Sequence, residues 1–221
     1  MSTRLQLRTR VRYNLGEPNP SSSPRYNNTS INSNLNEAYQ QYQLELIDNA
    51  QGDFATQSFI SLVANQSLYA LPSTWVKTRR LWKVEANGRY EVERSERRDW
   101  PVYNIDAFSR CNPFTYRYQD RSILLEPTPI SSETNALLHE YYALQPDLTD
   151  DSQSPVAGFI EPWQTMLVLY ATIAELEGKE AIGSVVSIDT FRARLEKAEM
   201  KFRASMGSRS ESNGTVAPDD L

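Results

Sequence analysis

The hydrophobic period of this chain changes twice along its length. Up to about residue 53, apolar residues recur every three or four positions. From Phe54 to Leu144 they fall in short alternating runs separated by turn signals, and after that the helical spacing returns. Short helical segments gain most of their stability from packing, so the two ends must pack on each other. The strand-rich middle is then an insertion between the second and third helices. This order predicts an α+β fold: a helical bundle made from residues 1–53 and 146–206, an inserted antiparallel β-rich unit over 54–145, and a tail over 207–221.

The first helix is expected over residues 3–15, where Leu7, Val11 and Leu15 recur every four positions and Gly16 with Pro18 ends the pattern. Residues 16–30 read as a loop rich in Pro, Ser and Asn. A second helix is expected over 32–48, with Ile31, Leu35, Ala38, Tyr42 and Leu46 as its stripe and Asn32 or Ser33 as its cap. Strands are expected at Thr56–Ala64, Ser67–Leu71, Val76–Ala86, Phe114–Tyr118, Ser122–Glu126 and Asn135–Leu144. Asn87-Gly88 reads as a two-residue hairpin turn, and Gln119-Asp120 as a second turn. The segment 92–112 allows one helical turn near Arg94–Asp99.

The third helix, about 159–178, is the most apolar, with Pro162 in its first turn and Gly178 at its end. Its apolar residues cover more than one face, so burial on several sides is expected. Trp163, Leu167 and Tyr170 are its expected core anchors. The last helix is expected over 187–205 with Ser187 as its cap, a stripe of Phe191, Leu195, Ala198 and Phe202, and a charged opposite face. Phe191 and Leu195 are core anchors there. Residues 207–221 have almost nothing to bury and are expected to be disordered in isolation.

The residues that carry most catalytic chemistry are scarce. There is one His (His139) and one Cys (Cys111) among 221 residues. A structural zinc site needs about four such ligands, and a Ser–His or Cys–His pair has one candidate base. A single Cys forms no disulfide within the chain. Asp150-Asp151 are adjacent in a loop, and Glu126, Glu133 and Glu161 complete a scattered set with no spacing that sets up an acid/base pair. No Gly-rich phosphate loop occurs. The expectation is a non-enzyme with no metal and no cofactor, made in the cytoplasm, with no secretory signal and no membrane span.

Charge is segregated although the net charge is only −5. Residues 1–30 carry five Arg and one acid, Glu17; residues 77–98 carry eight Lys or Arg against four Glu; residues 131–180 carry nine acids and one Lys. Blocks of opposite sign suit head-to-tail self-association, and ordinary surface variation explains them too. Arg4, Arg8 and Arg12 lie on one helical stripe with no acid among residues 1–16. They are candidates for contact with DNA or a neighbouring subunit, against the alternative of a solvated face. Lys77, Arg79, Arg80, Lys83 and Arg89 crowd one hairpin beside Trp75 and Trp82. That hairpin reads as a protected sheet edge or subunit contact, and alternatively as a small DNA-binding surface.

Several short motifs share an order. Residues Leu35-Asn36-Glu37-Ala38-Tyr39-Gln40-Gln41-Tyr42 follow an amphipathic start and a Pro/Ser loop. Tyr69-Ala70-Leu71-Pro72, Val84-Glu85-Ala86-Asn87-Gly88 and Ile123–Pro129 come next, then Tyr141–Asp151 ending in Pro-Asp-Leu-Thr-Asp-Asp, and Pro162–Ala171. In this order they resemble the head-to-tail adaptor, or connector, proteins of tailed bacteriophages over roughly residues 3–205. The chain departs from the pattern at Tyr26–Ser30, where a Trp or acidic capping stretch is expected, which leaves the start of the second helix open.

The resemblance implies a structural virion protein at the neck, forming a commonly dodecameric ring under the portal, extending the channel for genomic double-stranded DNA and giving the tail or nozzle proteins a docking surface. It also implies that the C-terminal segment clasps the portal, here Lys201, Phe202, Met206, Arg209, Val216 and Leu221. Another virion ring, such as a tail terminator or nozzle protein, is the nearest alternative.

Overall fold

The computed structural model describes residues 2–19, 24–49, 54–95, 115–155, 161–178 and 187–212. Helix α1 spans Arg4–Asn14. Thr3 and Gln6 cap it reciprocally, since the Gln6 side chain accepts from the Thr3 N–H at 2.9 Å and the Thr3 hydroxyl from the Gln6 N–H at 3.4 Å. At the other end Gly16 takes φ +76°, a left-handed conformation that a side chain would strain. Its N–H bonds the Tyr13 carbonyl and the Glu17 N–H bonds the Arg12 carbonyl, at 3.2 and 2.9 Å, which satisfies the last carbonyls of the helix.

Helix α2 spans Asn28–Asp48, so it begins four residues before the expected start at 32. The Asn27 side chain accepts from the Thr29 N–H at 2.9 Å and is the cap, in place of Asn32 or Ser33. Ile31 is fully buried, so the helix must already be running when it reaches that residue. Helix α3 spans Glu161–Gly178 and helix α4 spans Ile188–Ser212. The last helix thus continues seven residues past 205. An existing helix gains one hydrogen bond for each residue added, so a lack of apolar residues does not by itself end it. Of the expected tail, residues 213–221 lie outside the described residues.

The chain divides into two compact units, one of residues 1–53 with 145–221 and one of residues 54–144. In the helical unit α3 is central and packs against α1, α2 and α4. Leu167, Val168 and Leu169 are buried along it, as are Met166, Ala171 and Leu176, so more than one face is covered.

The second unit holds strands β1 (Ala55–Leu62), β2 (Leu68–Ala70), β3 (Trp75–Glu85), β4 (Gly88–Glu91), β5 (Glu93–Arg94), β6 (Thr115–Gln119), β7 (Ser122–Glu126) and β8 (Glu133–Ala143). They form two four-stranded sheets, β1-β8-β3-β4 and β2-β7-β6-β5. Every pairing is antiparallel except the short β5–β6 pair. Leu81, Leu137 and Leu62 from one sheet meet Tyr69, Tyr116, Ile123 and Leu125 from the other in a single core. The β3–β4 hairpin closes one residue earlier than expected. Glu85 pairs with Gly88, so the turn residues are Ala86 and Asn87, and Gly88 opens β4 at φ +155°. The β6–β7 turn is Asp120-Arg121, one residue later than expected, with Asp120 at φ +52°. Arg94 lies in a strand, and most of the helical turn expected near Arg94–Asp99 lies outside the described residues.

His139 on β8 is fully buried and stacks on Tyr141 at 4.7 Å. The Thr78 hydroxyl accepts from Trp75 Nε1 at 3.1 Å and is hydrogen-bonded to His139 Nε2 at 2.8 Å. His139 Nδ1 has no hydrogen-bond partner among the described residues. Burial pushes the imidazole pKa down to about 4 from an ordinary 6.5. Between those values the unfolded chain takes up a proton that the folded one refuses, so stability falls as pH drops from 6.5 to 4. The loss is on the order of 3 kcal/mol. Denaturant midpoints measured from pH 7 to pH 4 should show this decline, and His139→Phe, which cannot charge, should flatten it.

Candidate functional site

The loop after β8 is tied into the helical unit by a run of side chains. Gln43 on α2 accepts from the Gln145 N–H at 2.7 Å. Gln40 donates to the Gln145 carbonyl at 3.2 Å and to Asp147 at 2.9 Å. Asn36 bonds Leu148 twice, accepting from its N–H at 3.0 Å and donating to its carbonyl at 3.4 Å. These α2 residues lie three to four apart, so one face of the helix reads the loop as a ladder. Two motifs separated by about a hundred residues in sequence therefore form one structure.

At the end of the ladder, Asp151 receives two arginines. Arg4 Nη2 lies 2.7 Å from Oδ1, and Arg8 Nη2 lies 2.7 Å from Oδ2. Arg4 also donates to the Leu148 carbonyl at 2.7 Å, and the Arg4 N–H bonds the Gln153 carbonyl at 2.7 Å. The hydrogen bonds from Arg8 and then Arg4 hold the Asp151 carboxyl below the ordinary carboxylate range. Asp150 is also lowered, by the Ser152 hydroxyl and N–H. Arg12 is almost completely buried and pairs with Glu17 at 3.3 Å, while Asn28 and the Tyr26 carbonyl accept from it at 2.6 and 2.8 Å.

The structure divides the basic residues that stand out in the sequence. Arg4, Arg8 and Arg12 are neither a solvated face nor an open anion site, because they are turned into the unit and paired. Sequence proximity could not show this, since the acid serving Arg4 and Arg8 lies more than 140 residues away. Lys83 is also withdrawn. It is buried on the core face of β3 with Nζ 2.8 Å from Glu133 Oε2 and 3.1 Å from the Val84 carbonyl. The alternation of β3 sends Lys83 to the face opposite its neighbour Trp82.

Lys77, Arg79 and Arg80 remain exposed, and no carboxylate pairs with them among the described residues. Arg80 and Arg89 lie over the Trp82 ring, at 5.6 and 4.6 Å. β4 pairs only with Trp82–Glu85, so among the described residues β3 is a sheet edge over the stretch bearing Lys77, Arg79 and Arg80. A register shift between Thr78 and Arg80 bulges that edge. Charge and bulge together block strand addition and leave the guanidinium groups available. Trp75 is not part of this surface. It is half-buried against Tyr118 at 5.3 Å.

Among the residues expected to meet the portal, Phe202 is a core side chain. It is about 1% exposed and packs edge-on against Tyr42 and Trp163, at 6.2 and 5.2 Å. The period of α4 puts it on the same stripe as Phe191, so it cannot also be offered outward. Lys201 is exposed, Met206 and Arg209 lie in the last turns of α4, and Val216 and Leu221 lie outside the described residues. Leu167 and Phe191 are buried. Trp163, Tyr170 and Leu195 are half-buried, and the Tyr170 hydroxyl donates to Glu37 at 3.0 Å. Burial and the nearby Glu199 carboxylate keep the Tyr42 hydroxyl protonated far above its usual range.

Among the described residues, no group of three or more His, Cys, Asp or Glu could hold a metal ion, and no helix is long and apolar enough to cross a membrane. The described residues bring together an anchored loop, internal ion pairs and exposed cations. The family model for the SU10 adaptor protein matches residues 2–219. The chain belongs to that family and is a structural phage adaptor, in keeping with its resemblance to head-to-tail adaptors. Among curated proteins no relative matches it.

Two substitutions test the assignment of these residues. Asp151→Asn removes the anion shared by Arg4 and Arg8, so its denaturation midpoint should be lower at neutral pH. The wild-type advantage should vanish as pH falls through the depressed pKa of that carboxyl, where Asp151 itself becomes neutral. Phe202→Ala should cost about 3–5 kcal/mol in chemical denaturation, the range for truncating a buried aromatic.

Proposed function

We propose that this chain is a neck protein of the virion that assembles with copies of itself into a ring between portal and tail. It extends the DNA channel there and presents the surface on which tail or nozzle proteins dock. The observation that carries this reading is the family match over nearly the whole chain. Two features of the chain support it. The loop ladder and the Asp151 clamp make the helical unit a fixed body able to bear load, and the unpaired cations are grouped on defined surfaces. A ring repeats each surface at every subunit, so Lys77, Arg79 and Arg80 supply enough charge for weak, sequence-independent contact with phosphate even though the monomer is acidic. The C-terminal portion of α4 and the residues after it are the portal-binding segment, through Lys201, Met206, Arg209, Val216 and Leu221, with Phe202 reserved for the core.

Particle images of the chain mixed with portal should show a ring on the portal face, and recruitment by tail tube without portal would overturn the placement. A chain lacking residues 213–221 should keep its far-ultraviolet circular dichroism and thermal midpoint yet fail to bind portal. Normal portal attachment by that truncated chain would remove the assignment of the segment.

A further inference from the structure

Helix α4 is held to α3 by one stripe, and its two flanks carry different charge. Phe191 and Phe202 define the buried stripe. Arg194, Lys197 and Lys201 fall together on one flank, three to four residues apart. A groove of about 340 Å3 runs along this flank, floored by Trp163, Leu169 and Ala198, with no carboxylate in its lining. Among the described residues none of the three cations has an ion pair, although Arg194 lies over the Phe191 ring at 5.8 Å. Like charges one turn apart on a helix repel, so the isolated unit holds this arrangement at a cost that an external anion would relieve.

The opposite flank is the complement. A groove of about 450 Å3 is floored by Tyr170, Ile173 and Leu195 and rimmed by Glu177, Glu196 and Glu199. Its one lining cation, Arg192, is tied to Glu177 at 2.6 Å. Arg203 further along is tied to Glu45 at 2.6 Å and lies 3.9 Å from Glu199, which also accepts from the Tyr42 hydroxyl at 2.5 Å. Glu196 has no ion pair among the described residues. The two grooves lie on nearly opposite sides of one helix, each with an apolar floor.

We propose that these flanks are the two halves of one heterologous interface, with the Arg194 and Lys197 flank of one copy seated against the Glu177 and Glu196 flank of the next. This deepens the ring reading and rests on it. A heterologous contact that joins opposite sides of a subunit propagates, and it closes into a ring when the rotation allows. Charge complementarity fixes the order of subunits and suppresses the reverse pairing, in which like flanks meet.

A charge-swap pair tests it on the full-length chain in the presence of portal. One variant carries Arg194→Glu and Lys197→Glu, leaving the portal-segment residue Lys201 in place; the other carries Glu177→Lys and Glu196→Lys. All of these positions are solvent-facing, and retained helicity by circular dichroism confirms folding. Wild type should form rings that loosen as salt is raised. Each variant alone should lose the ring in native mass spectrometry and particle images, because its two flanks then have the same sign. An equimolar mixture should recover it, because every junction is again between opposite charges. Rings formed by either variant alone, or a mixture that stays monomeric, would overturn the interface while leaving the ring reading in place. Rings that persist in the first variant with loss of binding to duplex DNA would assign its basic flank to nucleic acid instead. Failure of the wild-type chain to form any ring with portal would remove the ring reading itself.

Discussion

The carboxylate of Asp151 is the constraint on which the helical unit depends. It takes two guanidinium groups at once, both from α1, while the loop that carries it is read by Asn36, Gln40 and Gln43 on α2. A loop this polar would otherwise spend its backbone groups on water. Here its N–H and carbonyl groups are bonded to side chains of two helices, so the loop position is set by directional contacts rather than by burial of apolar area.

The disposition of charge follows from that arrangement. Arginines that look unopposed in the linear chain are consumed internally, and a lysine in the most basic stretch is buried against Glu133. What remains outside is sorted by flank and by strand. The exposed cations of β3 occupy a bulged edge, and those of α4 occupy one side of a helix whose other side is acidic. An acidic protein with locally positive surfaces gains selective attraction without a general affinity for polyanions.

Much of the architecture was legible in the hydrophobic period. The stripe Leu7, Val11 and Leu15, the short apolar runs of the strands, and Gly16 and Gly178 at helix ends all depend on residues near one another, and local rules reach them. Errors cluster where one residue decides the outcome. The Asn27 cap displaced the start of α2, and the β3–β4 turn shifted by one because Gly88 served as the first strand residue rather than the second turn residue. The fate of each basic side chain was not legible, since it depends on contacts such as Arg8 with Asp151 that no local pattern encodes. The shared order of the Asn-Glu-Ala-Tyr-Gln-Gln and Pro-Asp-Leu-Thr-Asp-Asp motifs pointed to the family, and the loop ladder now gives that pairing a physical basis.

Helix α4 has a mechanical property as well as a chemical one. Phe202 clamps it against Tyr42 and Trp163, and the same helix runs on to Ser212. Ten residues of helix follow Phe202, about 15 Å at the ordinary helical rise. The first of them, Arg203, is tied to Glu45 of α2 at 2.6 Å. The foot of that last stretch is thus fixed twice over, once by an aromatic cluster and once by an ion pair, so its direction is set by the bundle core.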